Sequence, residues 1–300
     1  MYCNYQQVIA AAQARRPAVI SVAVAQDAEV LEAVKLAYDS GIATVILVGN
    51  AAQIKPLAEQ AGLSAAIQIV DEPDVAKAAL KAVSIVRAGE AQVLMKGFIN
   101  SSDFLKAVLN QEEGLRNGRL LSHLAVFEIP GQPKLLFVTD GGMNIAPSLA
   151  EKQDILISAM LALNGMGLAK PNVAVLTANE QVNPRMPATM DAKALADLSL
   201  TGVLPPGIVE GPIALDVAVS AAAAQHKNIT SKIAGNVDLI LVPNIETGNA
   251  IGKTLIYYAG AKMAGLVLGA SSPVVMTSRA ETVEGKLNSI ALACLGLPEK

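Results

Sequence analysis

Along this chain, short β-branched apolar runs alternate with longer segments whose apolar positions recur every three or four residues. The runs 18-AVISVAVA-25, 44-TVILVG-49, 67-IQIVD-71 and 92-QVLMKG-97 predict strands, as do 124-LAVFEIP-130, 134-KLLFVTD-140, 173-VAVLTA-178, 238-DLILVP-243 and 273-PVVMTS-278. Such residues suit a pleated, buried surface. Between them, 27-DAEVLEAVKLAYDSG-41 predicts a helix. Asp27 can cap it, Glu29 favours its first turn, Val30, Leu31, Val34 and Ala37 share one face, and Gly41 stops it. The segment 74-DVAKAALKAVSIVRAG-89 has the same form. Repeated βα units predict a mostly parallel sheet covered on both faces.

The rhythm breaks at 119-RLLSHLAVFEIPGQPKLLFVTDGG-142. Two apolar runs joined by Pro-Gly-Gln-Pro predict an antiparallel hairpin. One sheet can end there and another begin. The expected fold is two α/β domains with mostly parallel sheets and a cleft between them.

Composition narrows the class. The 300 residues are 52% apolar and 16% charged, with no Trp and 3% aromatics. Ala-rich helices over Val/Ile-rich strands give this profile. A net charge of -3 with so few rings argues against a nucleic-acid partner. No run approaches about 18 uninterrupted apolar residues, so no membrane span is expected. The start, MYCNYQQVIAAAQARRP, places its arginines after the short apolar stretch, unlike a secretory signal. A cytoplasmic location follows as the expectation, with Cys3 and Cys294 as reduced thiols. Two cysteines and two isolated histidines make no metal-ligand cluster, and no metal is expected.

Candidate chemistry lies where strands end, since ligands of α/β sheets bind beyond the carboxyl edge. After 92-QVLM come Lys96, Gly97, Asn100, Ser101 and Ser102, ahead of a helix start that favours an anion. After 134-KLLFVTD come Gly141, Gly142 and Asn144, which also read as an ordinary glycine turn. After 273-PVVMT come Ser278 and Arg279, a hydrogen-bond donor and a fork for phosphate oxygens. The segment 246-ETGNAIGKT-254 ends like a phosphate loop, but only three residues separate Gly248 from Gly252 where four are needed. The informative part is what precedes that Gly-Lys-Thr, Asn244 to Asn249 at a strand end, with Lys253 expected inside a helix. His123 reads as a satisfied hairpin residue and His226 as a solvated helix end. From the residues alone, a nucleotide-dependent kinase stays a competing reading.

Seven segments carry a family resemblance: 22-VAVAQDAEVLEAV-34, 95-MKGFINSSDFLKAVLNQEEGLRNG-118, 121-LSHLAVFE-128, 183-NPRMPATMDA-192, 210-EGPIALDVA-218, 242-VPNIETGNAIGKTL-255 and 273-PVVMTSRAETVEGKLNSIALA-293. Together they resemble the phosphate acetyl/butyryltransferase family, and its butyryl branch in particular. The resemblance implies an isocitrate dehydrogenase-like architecture, with 1–130 and 272–300 forming one domain and 131–271 the other. It implies interconversion of butyryl-CoA or another short-chain acyl-CoA plus phosphate with acyl phosphate plus CoA. CoA is then a substrate, no cofactor is tightly bound, and a homo-oligomer is expected. Acetyl transfer, or a non-catalytic relative that binds acyl-CoA or acyl phosphate, is the alternative. By the same resemblance Ser278 stabilises the oxyanion or orients the thiol, and Arg279 binds phosphate. The base does not carry over, because Gly285 stands where the acetyl branch carries an acid: Glu281 and Glu284 are the nearby carboxylates, Glu281 is the favoured one, and the alternative is that no side chain on this helix acts as base. Lys96, Asn100, Ser101, Asn244, Thr247, Gly248 and Asn249 are the expected phosphate or CoA contacts.

Overall fold

The computed structural model describes residues 2–278 and 281–298. The chain divides into two compact units, one of residues 4–119 with 264–300 and the other of residues 120–263 with 1–3.

The terminal unit opens with α1 (Tyr5–Gln13), β1 (Ala18–Ala23), α2 (Ala28–Asp39), β2 (Ala43–Gly49), α3 (Ala51–Gln60), β3 (Gln68–Asp71), α4 (Val75–Arg87), β4 (Val93–Lys96) and α5 (Ser101–Val108). The middle unit follows: β5 (Ser122–Glu128), β6 (Leu136–Thr139), α6 (Leu149–Gly165), β7 (Asn172–Leu176), α7 (Pro187–Leu198), β8 (Ile208–Ile213), α8 (Leu215–Val219), α9 (Ala221–His226), β9 (Leu239–Leu241) and α10 (Ile245–Ala259). The chain then returns through β10 (Lys262–Leu268), β11 (Val274–Val275) and α11 (Val283–Leu295).

In the terminal unit the strand order is β3-β2-β1-β4-β11-β10. All neighbours are parallel except β10 against β11. Asp27 and Asp74 accept hydrogen bonds from Val30 and Lys77 amides, capping α2 and α4 as their sequences predict. Ile20, Leu31, Leu47 and Leu94 lie fully buried between sheet and helices. Each such side chain contributes about 1.5–3 kcal/mol by leaving water. Arg15 donates to the carbonyls of Leu295 and Leu297, tying α1 to the end of α11.

In the middle unit the order is β5-β6-β9-β7-β8. The predicted hairpin is present: β5 and β6 pair antiparallel, with Leu124 opposite Thr139 and Phe127 opposite Leu136. The other neighbours are parallel. One core here gathers Phe127, Ala174, Ile213, Ile240 and Val242. An expected boundary at 130/131 separates the hairpin's arms, whereas their pairing holds both in the middle unit, which begins at Leu120. Two strands lack a sequence signal. β8 contains Gly211-Pro212, and β10 reads KMAGLVL, a composition equally suited to a helix.

At the amino end of β9, Asp238 is 2% exposed. It accepts from Lys134 Nζ at 2.6 Å and from the Asn172 amide at 2.8 Å. Lys134 also donates to Asn236. Removing one partner of a buried ion pair strands the other charge, at a cost of about 3–5 kcal/mol. Lys134→Met is therefore expected to lower the unfolding free energy by about 3 kcal/mol, at the low end because Lys134 keeps some solvent contact. Urea melts measure this, and a loss below about 1 kcal/mol would show that solvent already compensates Asp238.

Candidate functional site

Because β4 and β11 are parallel, with Val275 level with Met95, their carboxyl ends leave the terminal sheet at one edge. The structure thus brings Lys96 at the end of β4 and Ser278 beyond β11 to the same edge. Lys96 is 5% exposed, and its Nζ lies 3.4 Å from the Gly97 carbonyl. Asn100 caps α5, its Oδ1 accepting from the Asp103 amide and from Ser102 Oγ, both at 2.8 Å. Its Nδ2 donates to Asp103 Oδ2 at 2.5 Å. Lys106 and then Asn100 hold the Asp103 carboxyl below its usual range. Ser101, the first residue of α5, is exposed.

Ser278 is exposed, and its carbonyl accepts from the Glu281 amide at 3.1 Å. Arg279 lies outside the described residues. Thr282 caps α11 by accepting from the Gly285 amide. The Glu281 carboxylate folds back over Gly285: a Cβ on that glycine would lie 2.8 Å from Glu281 Cδ. The two residues are therefore coupled, and glycine at 285 leaves room for a carboxylate supplied from 281. Sequence reasoning missed Lys286, which is 3% exposed. Its Nζ donates to the Glu281 carbonyl and to Glu29 Oε2 of α2, the latter at 2.8 Å. This holds the backbone of the Glu281 turn. Nothing in VEGKLN distinguishes that lysine from a solvated one.

A second set of candidates lies in the middle unit, after β6 and β9, again parallel neighbours. Asn244 caps α10, its Oδ1 accepting from the Thr247 amide at 3.0 Å and from Thr247 Oγ1 at 2.7 Å. The Ile245 amide donates to the Ile145 carbonyl at 2.9 Å and the Gly248 amide to the Asn244 carbonyl at 3.3 Å. Of the four amides that a helix start leaves without an intrahelical partner, here those of residues 244–247, the amides of Ile245 and Thr247 are thus engaged within the unit, which narrows this helix end as an anion cradle. Gly248 is buried because α10 presses on the preceding loop; a Cβ there would lie 2.5 Å from Gly141 Cα. Asn249 is exposed. Lys253 sits within α10, about 12 Å along the axis from its first residue at 1.5 Å per residue. The Gly-Lys-Thr segment is therefore not a phosphate loop.

The loop after β6 uses its own amides. Asp140, 2% exposed, accepts from the Gly142 and Met143 amides at 2.8 and 2.9 Å. It also accepts from the amide and side chain of Asn144 at 3.2 and 2.6 Å. An Asp before Gly-Gly is the signal for such a turn. Half-buried His123 packs against it: a Cβ on Gly142 would lie 3.0 Å from His123 Cγ.

Among the described residues, no group of three or more His, Cys, Asp or Glu is placed to hold a metal ion. Nor is any helix long and apolar enough to cross a membrane. Cys294 is buried in α11, and burial pushes its thiol up to about 12, far from a reactive thiolate.

The model for phosphate acetyl/butaryl transferase matches residues 4–75 and 58–294. The chain belongs to the phosphate acetyl/butyryl transferase family. It is 46% identical to the phosphate butyryltransferase of Clostridium acetobutylicum over 98% of both chains. It is 40% identical to the phosphate acetyltransferase of Rhizobium meliloti over 97% of this chain and 93% of that one. Among solved structures, a branched-chain phosphotransacylase from Enterococcus faecalis V583 superposes with a TM-score of 0.82 at 33% identity. That match covers 93% of this chain and 98% of the other.

His123 yields a pH prediction. Burial lowers its pKa from the ordinary 6.5, against an opposing pull from Asp140. A histidine depressed in the folded state gives stability that is complete above its unfolded pKa and lost as pH falls through that value toward the folded one. Urea midpoints should therefore drop between pH 7.5 and 5.5, and His123→Gln should flatten that drop. Parallel profiles for the two proteins would remove His123 as the cause.

Proposed function

We propose that this family member is an acyltransferase that interconverts a short-chain acyl-CoA plus phosphate with acyl phosphate plus CoA, butyryl-CoA being the favoured substrate. The near full-length identity to phosphate butyryltransferases supports the butyryl reading. One local observation supports the chemistry: the Glu281 carboxylate occupies the space above Gly285, at the sheet edge that also carries Lys96 and Ser278.

In the direction of CoA consumption, the CoA thiol must lose a proton before it attacks the acyl-phosphate carbonyl. We assign that proton to Glu281. The new carbon–sulfur bond forms as the carbonyl becomes a tetrahedral oxyanion, which Ser278 Oγ stabilises by donation. Collapse of the oxyanion breaks the carbon–oxygen bond to phosphate. Arg279 and Lys96 neutralise the departing phosphate, and Asn100 and Ser101 at the start of α5 contribute to its binding. The reverse reaction uses the same groups, with phosphate as nucleophile. No protein nucleophile is needed when both substrates are held together, since positioning supplies much of the rate. Asn244, Thr247, Gly248 and Asn249 are assigned to binding CoA, chiefly through the exposed Asn249 and the surface that its neighbours shape.

Acetyl transfer is the second reading, favoured by the 40% identity to an acetyltransferase. One methylene in an apolar pocket discriminates by only about 1–3 kcal/mol, so closely related pockets can select either chain. A cytoplasmic location completes the reading, supported by the buried thiol of Cys294. So does a homo-oligomer, supported by Tyr257 and Tyr258, which stand 77% and 90% exposed on α10.

Phosphate-dependent CoA release from acetyl-, butyryl- and branched acyl-CoAs tests the proposal. The highest kcat/KM is expected for butyryl-CoA, and no release from any of them would refute acyl transfer. Glu281→Gln should lower kcat by about 10²–10⁴-fold, the usual contribution of a general base. Ser278→Ala should cost about 10²–10³-fold, as for an oxyanion donor. Full activity in Glu281→Gln would return the proton to solvent or another group.

A further inference from the structure

The buried carboxylate of Asp140 has no part in the proposed chemistry, yet it accepts from three successive backbone amides. Its four donors close residues 140–144 into one turn. Asn144 Nδ2 also donates to the Leu121 carbonyl at 2.9 Å, fastening the turn to the segment entering β5. On one side the turn packs under His123 at Gly142; on the other it meets the first turn of α10. There the contact is backbone on backbone, with Gly141 against Gly248, and the Ile245 amide donates to the Ile145 carbonyl at 2.9 Å. The turn is a wedge between a histidine and a helix start, and Asp140 sets its shape.

Sheet pairing does not require this wedge. β6 and β9 are already in register, and the Val242 amide donates to the Thr139 carbonyl at 2.8 Å. What depends on the wedge is the position of residues 244–249. We propose that Asp140 is a positioning residue: acting through Asn144, Gly141 and Ile145, it fixes where the first turn of α10 sits and so sets the affinity for CoA there. The inference rests on the acyl-transfer reading and adds to it a residue that touches no substrate.

Asp238 provides the control. It is an equally buried carboxylate of the same unit, also 2% exposed, but it lies at the amino end of β9, away from α10. Asp140→Asn, Asn144→Ala and Asp238→Asn would be compared at a temperature where all three remain folded by circular dichroism. Amide hydrogen exchange over residues 244–249 is the first readout; kcat and the KM for CoA are the second. The expectation is faster exchange at 244–249 in Asp140→Asn and Asn144→Ala. KM for CoA should rise about tenfold in both with kcat within about twofold, the signature of lost binding rather than lost chemistry. Asp238→Asn should melt earlier yet keep both the exchange and the KM of the wild type. Unchanged exchange at 244–249 in Asp140→Asn, an unchanged KM, or the same KM rise in Asp238→Asn would each overturn the proposal. Should Asp140→Asn not fold, Asn144→Ala carries the test through the side-chain bonds from Asn144 to Asp140 and Leu121, and unchanged exchange at 244–249 with an unchanged KM in that variant would overturn the proposal. If the wild type releases no CoA with phosphate, acyl transfer itself falls, and the exchange arm still decides whether Asp140 holds α10.

Discussion

β11 is two residues long, and the chemistry proposed for the terminal unit depends on its parallel pairing with β4. Without that pairing, Ser278 and Glu281 have no reason to share an edge with Lys96. So short a strand offers few ladder bonds, and the hold comes from the helix that follows. α11 is buried almost throughout, from Gly285 to Leu295. Arg15 holds its far end by donating to two carbonyls, and Lys286 anchors its near end to Glu29 and to the Glu281 turn. Apolar burial is non-directional, so it supplies the energy. The two lysine bonds supply the direction that fixes the backbone of the Glu281 turn.

The same division of labour recurs in the middle unit. Strands β6 and β9 bring two loops to one edge, and close backbone approach then decides how the loops meet. Gly141 and Gly248 permit that approach, since a side chain at either position would meet backbone within 3 Å. Asp140 gives the loop a fixed shape by collecting its amides. The consequence is an exchange of roles. The helix start that reads as an anion cradle engages two of its four open amides internally, and a loop that reads either as a candidate site or as an ordinary glycine turn becomes the support behind it.

Much of this is legible in the residues themselves. Asp27 and Asp74 cap helices that Gly41 and Gly89 end, and the Pro-Gly-Gln-Pro link joins an antiparallel pair, because caps and turns are local chemistry. The missing residue between Gly248 and Gly252 argues against a phosphate loop on spacing alone. β8 and β10 are not legible, since Gly-Pro and Ala-Gly segments become strands only when neighbours offer them pairing and cover. Lys286 and Asp140 are not legible as supports, because burial depends on residues distant in sequence.

By itself, the sequence determined the α/β class, the alternation of strands and capped helices, the hairpin and the family. All of these follow from periodicity, local hydrogen bonding or a pattern of residues along the whole chain. Only the tertiary structure decided that β11 returns to β4, that the Glu281 carboxylate covers Gly285, and that Asp140 is buried behind α10. Those facts rest on contacts between segments far apart in the chain, where packing and desolvation rather than local preference choose the partner.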